Sequence, residues 1–275
     1  LKSNFLRRAK TSAVFVVILI GGSIWHPISF FILFSIIVIL GITEFNNVIA
    51  NPTHKPQNLP GIFLGFTVFA SFFLNAMSAF GIEILLVNII VATVILIFEL
   101  YRKKENPIVN IALTIFSVFY IAVPIGLLSY LVFLEKFDGT FNPVILISYF
   151  ALIWINDTGA YMIGSQFGKH RLFERISPKK SWEGFVGGAM FSLFGAYLIF
   201  RLIGQFELIH WFAISIITFT FGTIGDLLES LIKRSANIKD SGSLLPGHGG
   251  ILDRFDSLLL SSPVVFVYIM IFIKN

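Results

Sequence analysis

Apolar runs near 11–24, 28–48, 61–79, 82–100, 108–134, 143–164, 184–204, 209–232 and 257–273 alternate along the chain with short polar or turn-forming separators. Stretches of about 17–25 apolar residues match the hydrocarbon thickness of a bilayer, so the pattern predicts about nine transmembrane helices and an all-α polytopic membrane protein. The separators carry stop signals: "WHP", "NPTHKPQNLPG", "FGIE", "YRKKENP" and "EKFDGTFNP", followed by two long polar loops. Within 108–134, Pro124 and Gly126 either kink one long helix or divide it into two short segments. The opening "FLRRAKTSAVFVVILIGG" has the basic-then-apolar order of a leader, but no small-x-small site closes it, and it reads as a retained first span.

Charge then orients the spans. With nine helices, seventeen of the twenty Lys and Arg residues fall on the side of the N-terminus, in the segments at 1–10, 50–60, 101–107, 165–183 and 233–256. Only Lys136, Arg201 and Lys274 fall on the other. Basic residues accumulate on the cytoplasmic face, so the N-terminus is expected in the cytoplasm and the C-terminus outside. The net charge of +5 is then a sidedness signal and an attraction to anionic headgroups, and it needs no nucleic acid as a partner. Residues 1–140 read as about five spans that form a membrane scaffold with lipid contacts. Residues 141–275 read as the transmembrane region that carries the candidate chemistry, with cytoplasmic loops 165–183 and 233–256.

Composition agrees: 56% of residues are apolar and 13% charged, against about 25% charged in soluble proteins. Cysteine is absent, which excludes disulfides and thiolate metal sites.

Three polar stretches interrupt this apolar chain after residue 155. "INDTGAYMIGSQFGKH" (155–170) puts Asn156 and Asp157 inside a span and ends it at Gly168 and Lys169. A carboxylate within a span is costly and should pair or line a wet cavity, although helix-to-helix hydrogen bonding is a plainer role. "SPKKSWEGFVGG" (177–188) reads as a loop, Ser177 and Pro178, that enters a helix with Lys179, Lys180 and Glu183 near its start. Paired lysines can hold a polyphosphate, or simply anchor the chain at the membrane surface. Gly184, Gly187 and Gly188 suit close helix packing.

The richest stretch is 225–256, "GDLLESLIKRSANIKDSGSLLPGHGGILDRFD". Asp226, Glu229 and Lys233 fall on one face of the eighth helix, and Asp253 and Asp256 on one face at the start of the ninth. Carboxylates without His or Cys partners suit magnesium or calcium. "PGHGG" and the following helix N-terminus offer backbone N–H groups to phosphate, with Lys233, Arg234, Lys239 and Arg254 nearby. Taken singly, Asp253 reads as a helix cap and His248 as a turn residue. Four acids and four bases gathered between two spans point instead to phosphoryl-transfer chemistry.

At these residues the chain resembles a known family. "SLIKRSANIKDSGSLLPGHGGILDRFD" (230–256) is similar to the signature of phosphatidate cytidylyltransferases, also called CDP-diacylglycerol synthases, and "DTGAYMIGSQFGKH" and "SPKKSWEG" resemble that family's other polar segments. The resemblance by motif covers roughly 150–275; the N-terminal half matches only as apolar helices. It implies a homodimeric enzyme of the bacterial inner (plasma) membrane that joins CTP to phosphatidic acid at its cytoplasmic face, releasing CDP-diacylglycerol and pyrophosphate. Asp226, Asp253 and Asp256 would hold Mg2+, alone or with a second cation such as K+. Lys233, Arg234, Lys239, Asp240 and His248 would complete the catalytic set. Asp157, Lys169, Ser177, Lys179, Lys180, Glu183, Gly247, Gly249, Gly250 and Arg254 would bind or orient substrate.

Two other functions fit part of the pattern. A CTP-dependent kinase of lipid alcohols, polyprenol or phytol in type, needs the same metal and nucleotide but yields CDP and a lipid phosphate. An ion-coupled transporter would use Asp157, Asp226 and Glu229 as a relay, but the acids cluster toward one side and the N-terminal half has no matching broken repeat.

Overall fold

The computed structural model describes residues 2–134, 139–242 and 249–273, with side chains from residue 13 onward. Its helices are α1 (Lys2–Ile24), α2 (Pro27–Ile49), α3 (Asn58–Ala76), α4 (Val87–Arg102), α5 (Pro107–Ser117), α6 (Val123–Val132), α7 (Val144–Phe167), α8 (Trp182–Ile203), α9 (Leu208–Ser235) and α10 (Leu252–Phe272). The all-α polytopic class expected from the sequence is what the chain adopts. Among the described residues, eight helical passages are long and apolar enough to cross a membrane. The first expected span lies within α1, whose described side chains are apolar over Ala13–Ile24.

The chain divides into two compact units, Leu1–Asn142 with Ser235–Phe255, and Pro143–Arg234 with Asp256–Asn275. Most of the loop at 233–256, however, groups with the N-terminal helices, because Glu44 on α2 accepts hydrogen bonds from Ser241, Ile251 and Leu252.

In the first unit, α2 starts where Pro27 stands at the first helical position and His26 Nδ1 accepts the Ile28 N–H at 3.2 Å. Its buried face packs phenylalanines: Phe30 stacks on Phe73 of α3 with ring centroids 6.0 Å apart. The passage from Pro107 to Val132 resolves the choice left open at Pro124. It is one span in which Val118–Ala122 forms a π-helical turn between α5 and α6. Pro124 has no N–H and its ring crowds the carbonyl four residues back, and the widened turn accommodates both.

A polar knot crosses the same unit. Glu99, 5% exposed, accepts hydrogen bonds from Gln57 Nε2 (2.7 Å), Asn110 Nδ2 (2.9 Å) and Arg102 Nη1 (2.8 Å). Asn110 Oδ1 in turn accepts from the Lys55 N–H at 2.7 Å, which fixes the loop between α2 and α3. The buried Glu99 carboxylate is thereby answered on both oxygens, as hydrocarbon surroundings demand.

In the second unit, α7 and α8 approach closely through small residues. A side-chain carbon built on Gly164 would lie 3.2 Å from Gly184 Cα, and one on Gly188 2.6 Å from Asn156 Oδ1. The packing role expected for Gly184 and Gly188 thus accounts for them. Between these helices the sequence suggested a plain loop at Ser177 and Pro178. Instead β1 (Arg171–Phe173) and β2 (Ser177–Ser181) form an antiparallel hairpin, pairing Arg171 with Ser181 and Phe173 with Ser177. Ser181 then caps α8, its Oγ accepting the Gly184 N–H at 3.1 Å.

Candidate active site

The second unit brings three acids together. Asp226 and Glu229, one turn apart on α9, and Asp256 on α10 each offer a carboxylate oxygen within 4.8 Å of the other two. Glycine makes this approach possible: a side-chain carbon on Gly225 would overlap the Asp256 carbonyl oxygen, and one on Gly222 would sit 3.4 Å from Ser257 Cβ. Asp256 Oδ1 accepts the Ser257 N–H at 2.6 Å, and Asp226 Oδ1 accepts from Ser230 Oγ at 3.3 Å.

Two lysines answer the cluster. Lys180 Nζ, delivered by β2, lies 2.5 Å from Asp226 Oδ2, and Lys233 Nζ lies 2.6 Å from Glu229 Oε2 one turn along α9. Asp157 on α7 belongs to the same electrostatic group, since it acts on Asp256 together with Asp226 and Glu229, and is itself acted on by Lys180. Two unit charges at such separations repel by roughly 3 kcal/mol at an effective dielectric of about 20. The all-oxygen donor set of Asp226, Glu229 and Asp256 could hold a hard divalent cation such as Mg2+.

The signature segment of the first unit has different chemistry. Asp253 Oδ2 accepts from the Gly250 N–H (2.8 Å) and the Ser241 N–H (3.1 Å) and lies 2.9 Å from Ser241 Oγ. Glu44 accepts from Ser241 Oγ and from the amides of Ile251 (2.7 Å) and Leu252 (3.4 Å) where α10 begins. These contacts revise two expectations. The α10 amides read as open to phosphate already meet Glu44, and the Gly250 N–H meets Asp253. Gly249 has φ +80°, and a side-chain carbon there would overlap Asp253 Oδ2, while one on Gly250 would overlap Glu44 Oε1. These two glycines let carboxylates close in.

The other expected site residues are distributed as follows. Asp226 and Asp256 meet, and Glu229, which the sequence placed on the same face without a role in metal binding, joins them in place of Asp253. Glu183 is engaged by the hairpin: it accepts the Lys169 and His170 N–H groups at 3.1 and 3.2 Å and faces His170 Nδ1 at 2.6 Å. Ser177 opens β2 and Lys179 is exposed along it. Arg234 lies in the last turn of α9, and Lys239, Asp240 and Arg254 are exposed. Gly247 and His248 lie outside the described residues. Glu44 was missed because nothing local marks it; it is 197 residues from Ser241 in sequence.

Fold and site together define a polytopic α-helical membrane protein with a lysine-flanked carboxylate cluster where α9 meets α10. A model of the cytidylyltransferase family matches residues 6–272, and the chain belongs to that family. The chain is similar to a protein of Bacillus subtilis (strain 168) named phosphatidate cytidylyltransferase, with 46% identity over 123 residues, 44% of this chain and 45% of the relative. A Staphylococcus haemolyticus (strain JCSC1435) protein of the same name is 33% identical over 219 residues, 78% of this chain and 81% of the relative. A third, from Staphylococcus saprophyticus, is 46% identical over 123 residues, 44% of this chain and 47% of the relative, so the chain spans about half the length of two of the three.

Proposed function

We propose that this protein is a phosphatidate cytidylyltransferase, transferring CMP from CTP to phosphatidic acid with Mg2+ and giving CDP-diacylglycerol and pyrophosphate. The observation that carries the reading is the convergence of Asp226, Glu229 and Asp256 within 4.8 Å, flanked by Lys180 and Lys233, in a membrane-spanning chain of the cytidylyltransferase family. The relatives' name supplies the substrate pair.

Asp226, Glu229 and Asp256 would hold the metal. When bound, Mg2+ would neutralise the triphosphate and polarise its α-phosphorus. Lys180 and Lys233 would then turn from carboxylates to phosphate oxygens, so that the incoming nucleotide exchanges one set of anionic partners for another. An oxygen of the phosphatidic acid phosphate forms a bond to the α-phosphorus of CTP as the bond to the β-phosphate oxygen breaks. The electron pair leaves with pyrophosphate. The nucleophile is already anionic near neutral pH, so the residues have to bring two polyanions together rather than remove a proton. Lys239, Arg234 and Arg254 add positive charge in the segment from α9 to α10.

The rest of the expected assembly belongs to the same proposal: a homodimer in a bacterial plasma membrane, the N-terminus cytoplasmic, and a site that takes CTP from the cytosol and lipid from the inner leaflet.

The test is transfer of label from α-labelled CTP into lipid by purified protein with phosphatidic acid and Mg2+. Labelled CDP-lipid and pyrophosphate are expected. Formation of CDP and a phosphorylated lipid alcohol would mark a kinase instead, and flux of an ion across vesicles without nucleotide a transporter.

A further inference from the structure

Two carboxylates close the signature segment at both ends, and only one of them belongs to it. Asp253 ties Gly250 to Ser241 within the segment, through its bonds to the Gly250 and Ser241 N–H groups. Glu44, on α2, grips the same two ends from outside: its carboxylate takes the Ser241 hydroxyl at one end and the Ile251 and Leu252 amides at the other. The stretch of chain between those ends contains the sequence "PGHGG". Gly242 and Gly250 border the Glu44 carboxylate closely, the first with 3.1 Å between its would-be side-chain carbon and Glu44 Cδ. One turn before Glu44, Gly41 lies beside Leu252, where a side-chain carbon would sit 3.8 Å from Leu252 Cδ2.

A carboxylate at a helix N-terminus satisfies amides that have no partner within the helix and is favoured by the helix dipole. Glu44 thus holds the place that an anionic ligand would take at the start of α10. Leaving that place vacant would have two consequences. The signature segment would lose the anchor between its ends, and the freed amides would offer the triphosphate a competing seat.

We propose that Glu44 is a positioning residue for the reaction: it clamps the signature segment through Ser241, Ile251 and Leu252 and withholds the N-terminus of α10 from the nucleotide. The inference rests on the cytidylyltransferase reading above. Glu44 touches neither substrate nor metal in this role.

The experiment compares wild type with Glu44→Gln, which keeps the shape and removes the charge, in the full chain in detergent. Two quantities are read: steady-state kinetics against CTP, and the rate of tryptic cleavage after Lys239, mapped by mass spectrometry. The expected result is a fall in kcat of about tenfold or more, the scale on which supporting hydrogen-bond partners act at sites of this kind. KM for CTP should not rise, because the released amides still attract phosphate, and cleavage after Lys239 should become faster. A purely structural role would lower the amount of active enzyme without this split. A kcat within about twofold of wild type with unchanged cleavage would overturn the proposal.

If Glu44→Gln does not fold, Ser241→Ala removes one arm of the same clamp while leaving α2 intact. Faster cleavage after Lys239 in that variant supports the clamp, and unchanged cleavage overturns it. Wild-type protein that makes no CDP-lipid would defeat the functional reading, whereas the cleavage comparison would still decide whether Glu44 holds the segment.

Discussion

Asp226, Glu229 and Asp256 in one unit and Glu44 and Asp253 in the other are the same chemistry put to opposite uses. The second set is answered by neutral donors: three backbone amides and a hydroxyl within 3.1 Å, and the Leu252 amide at 3.4 Å. Carboxylates so placed are satisfied, and their contribution is to hold backbone in position. The first set also accepts from the Ser257 amide and the Ser230 hydroxyl, but it faces other carboxylates and pairs with two lysines. What separates a structural acid from a candidate metal ligand here is therefore the kind of group that answers it, since both sets lie near the ends of helices.

The largest effect that this contrast predicts is on activity at the cluster. Asp256→Asn and Asp226→Asn should each lower CDP-lipid formation by about 100- to 1000-fold, the loss typical when a group that stabilises developing charge is removed. Chelation by EDTA should abolish the same activity and added Mg2+ restore it. A variant at Asp256 that keeps a tenth of the wild-type rate would dissolve the distinction between the two sets.

Next in size is Lys180→Gln. Lys180 lies 2.5 Å from Asp226 Oδ2; in the proposed reaction it competes with the cation for that carboxylate and passes to phosphate. Removing it should leave the Mg2+ concentration for half-maximal activity unchanged or lower, while KM for CTP rises by about 10-fold or more. A parallel rise in both would mean that Lys180 organises the cluster rather than meeting the nucleotide.

Stability should separate Asp253 from Asp256 by sign. Asp253→Asn weakens two backbone-amide hydrogen bonds to a charged acceptor and should cost about 1.5–3 kcal/mol, read as a lower thermal unfolding midpoint in detergent. Asp256→Asn relieves repulsion in the metal-free cluster, so its midpoint in EDTA should be no lower than that of wild type. If both midpoints fall together, Asp253 and Asp256 belong to one class and the metal set of Asp226, Asp253 and Asp256 expected from the sequence regains its standing.

How much of this was legible beforehand follows from the range of each signal. The spans were readable because hydropathy over about twenty residues is a local sum, and hydrocarbon leaves helices as the main solution. The hairpin at Arg171–Ser181 was not, since strands of three and five residues holding Arg, Pro and two Lys carry no apolar alternation. Helical spacing put Asp226 and Glu229 on one face, yet it also paired Asp253 with Asp256. It had no means of showing that Gly250 and Ser241 already supply donors to the first of these. Glu44 lies deeper still: an acid near the end of an apolar helix is ordinary, and its partners stand about two hundred positions away.

The smallest effect concerns two glycines with the same backbone demand and different surroundings. Gly204 ends α8 at φ +63°, with only the Phe200 carbonyl oxygen near its would-be side chain, at 3.9 Å. Gly249 has φ +80° and would meet Asp253 Oδ2. Left-handed backbone costs an alanine about 1–2 kcal/mol, so Gly204→Ala should lower the unfolding midpoint by that alone and leave kcat untouched. Gly249→Ala carries the same backbone cost and must also displace the Asp253 carboxylate, which holds Gly250 and Ser241. The difference between the two variants therefore isolates what the Asp253 contact contributes. It should appear as an added loss of stability and a reduced kcat in Gly249→Ala alone; equal losses in both would place Asp253 outside any role in shaping the signature segment.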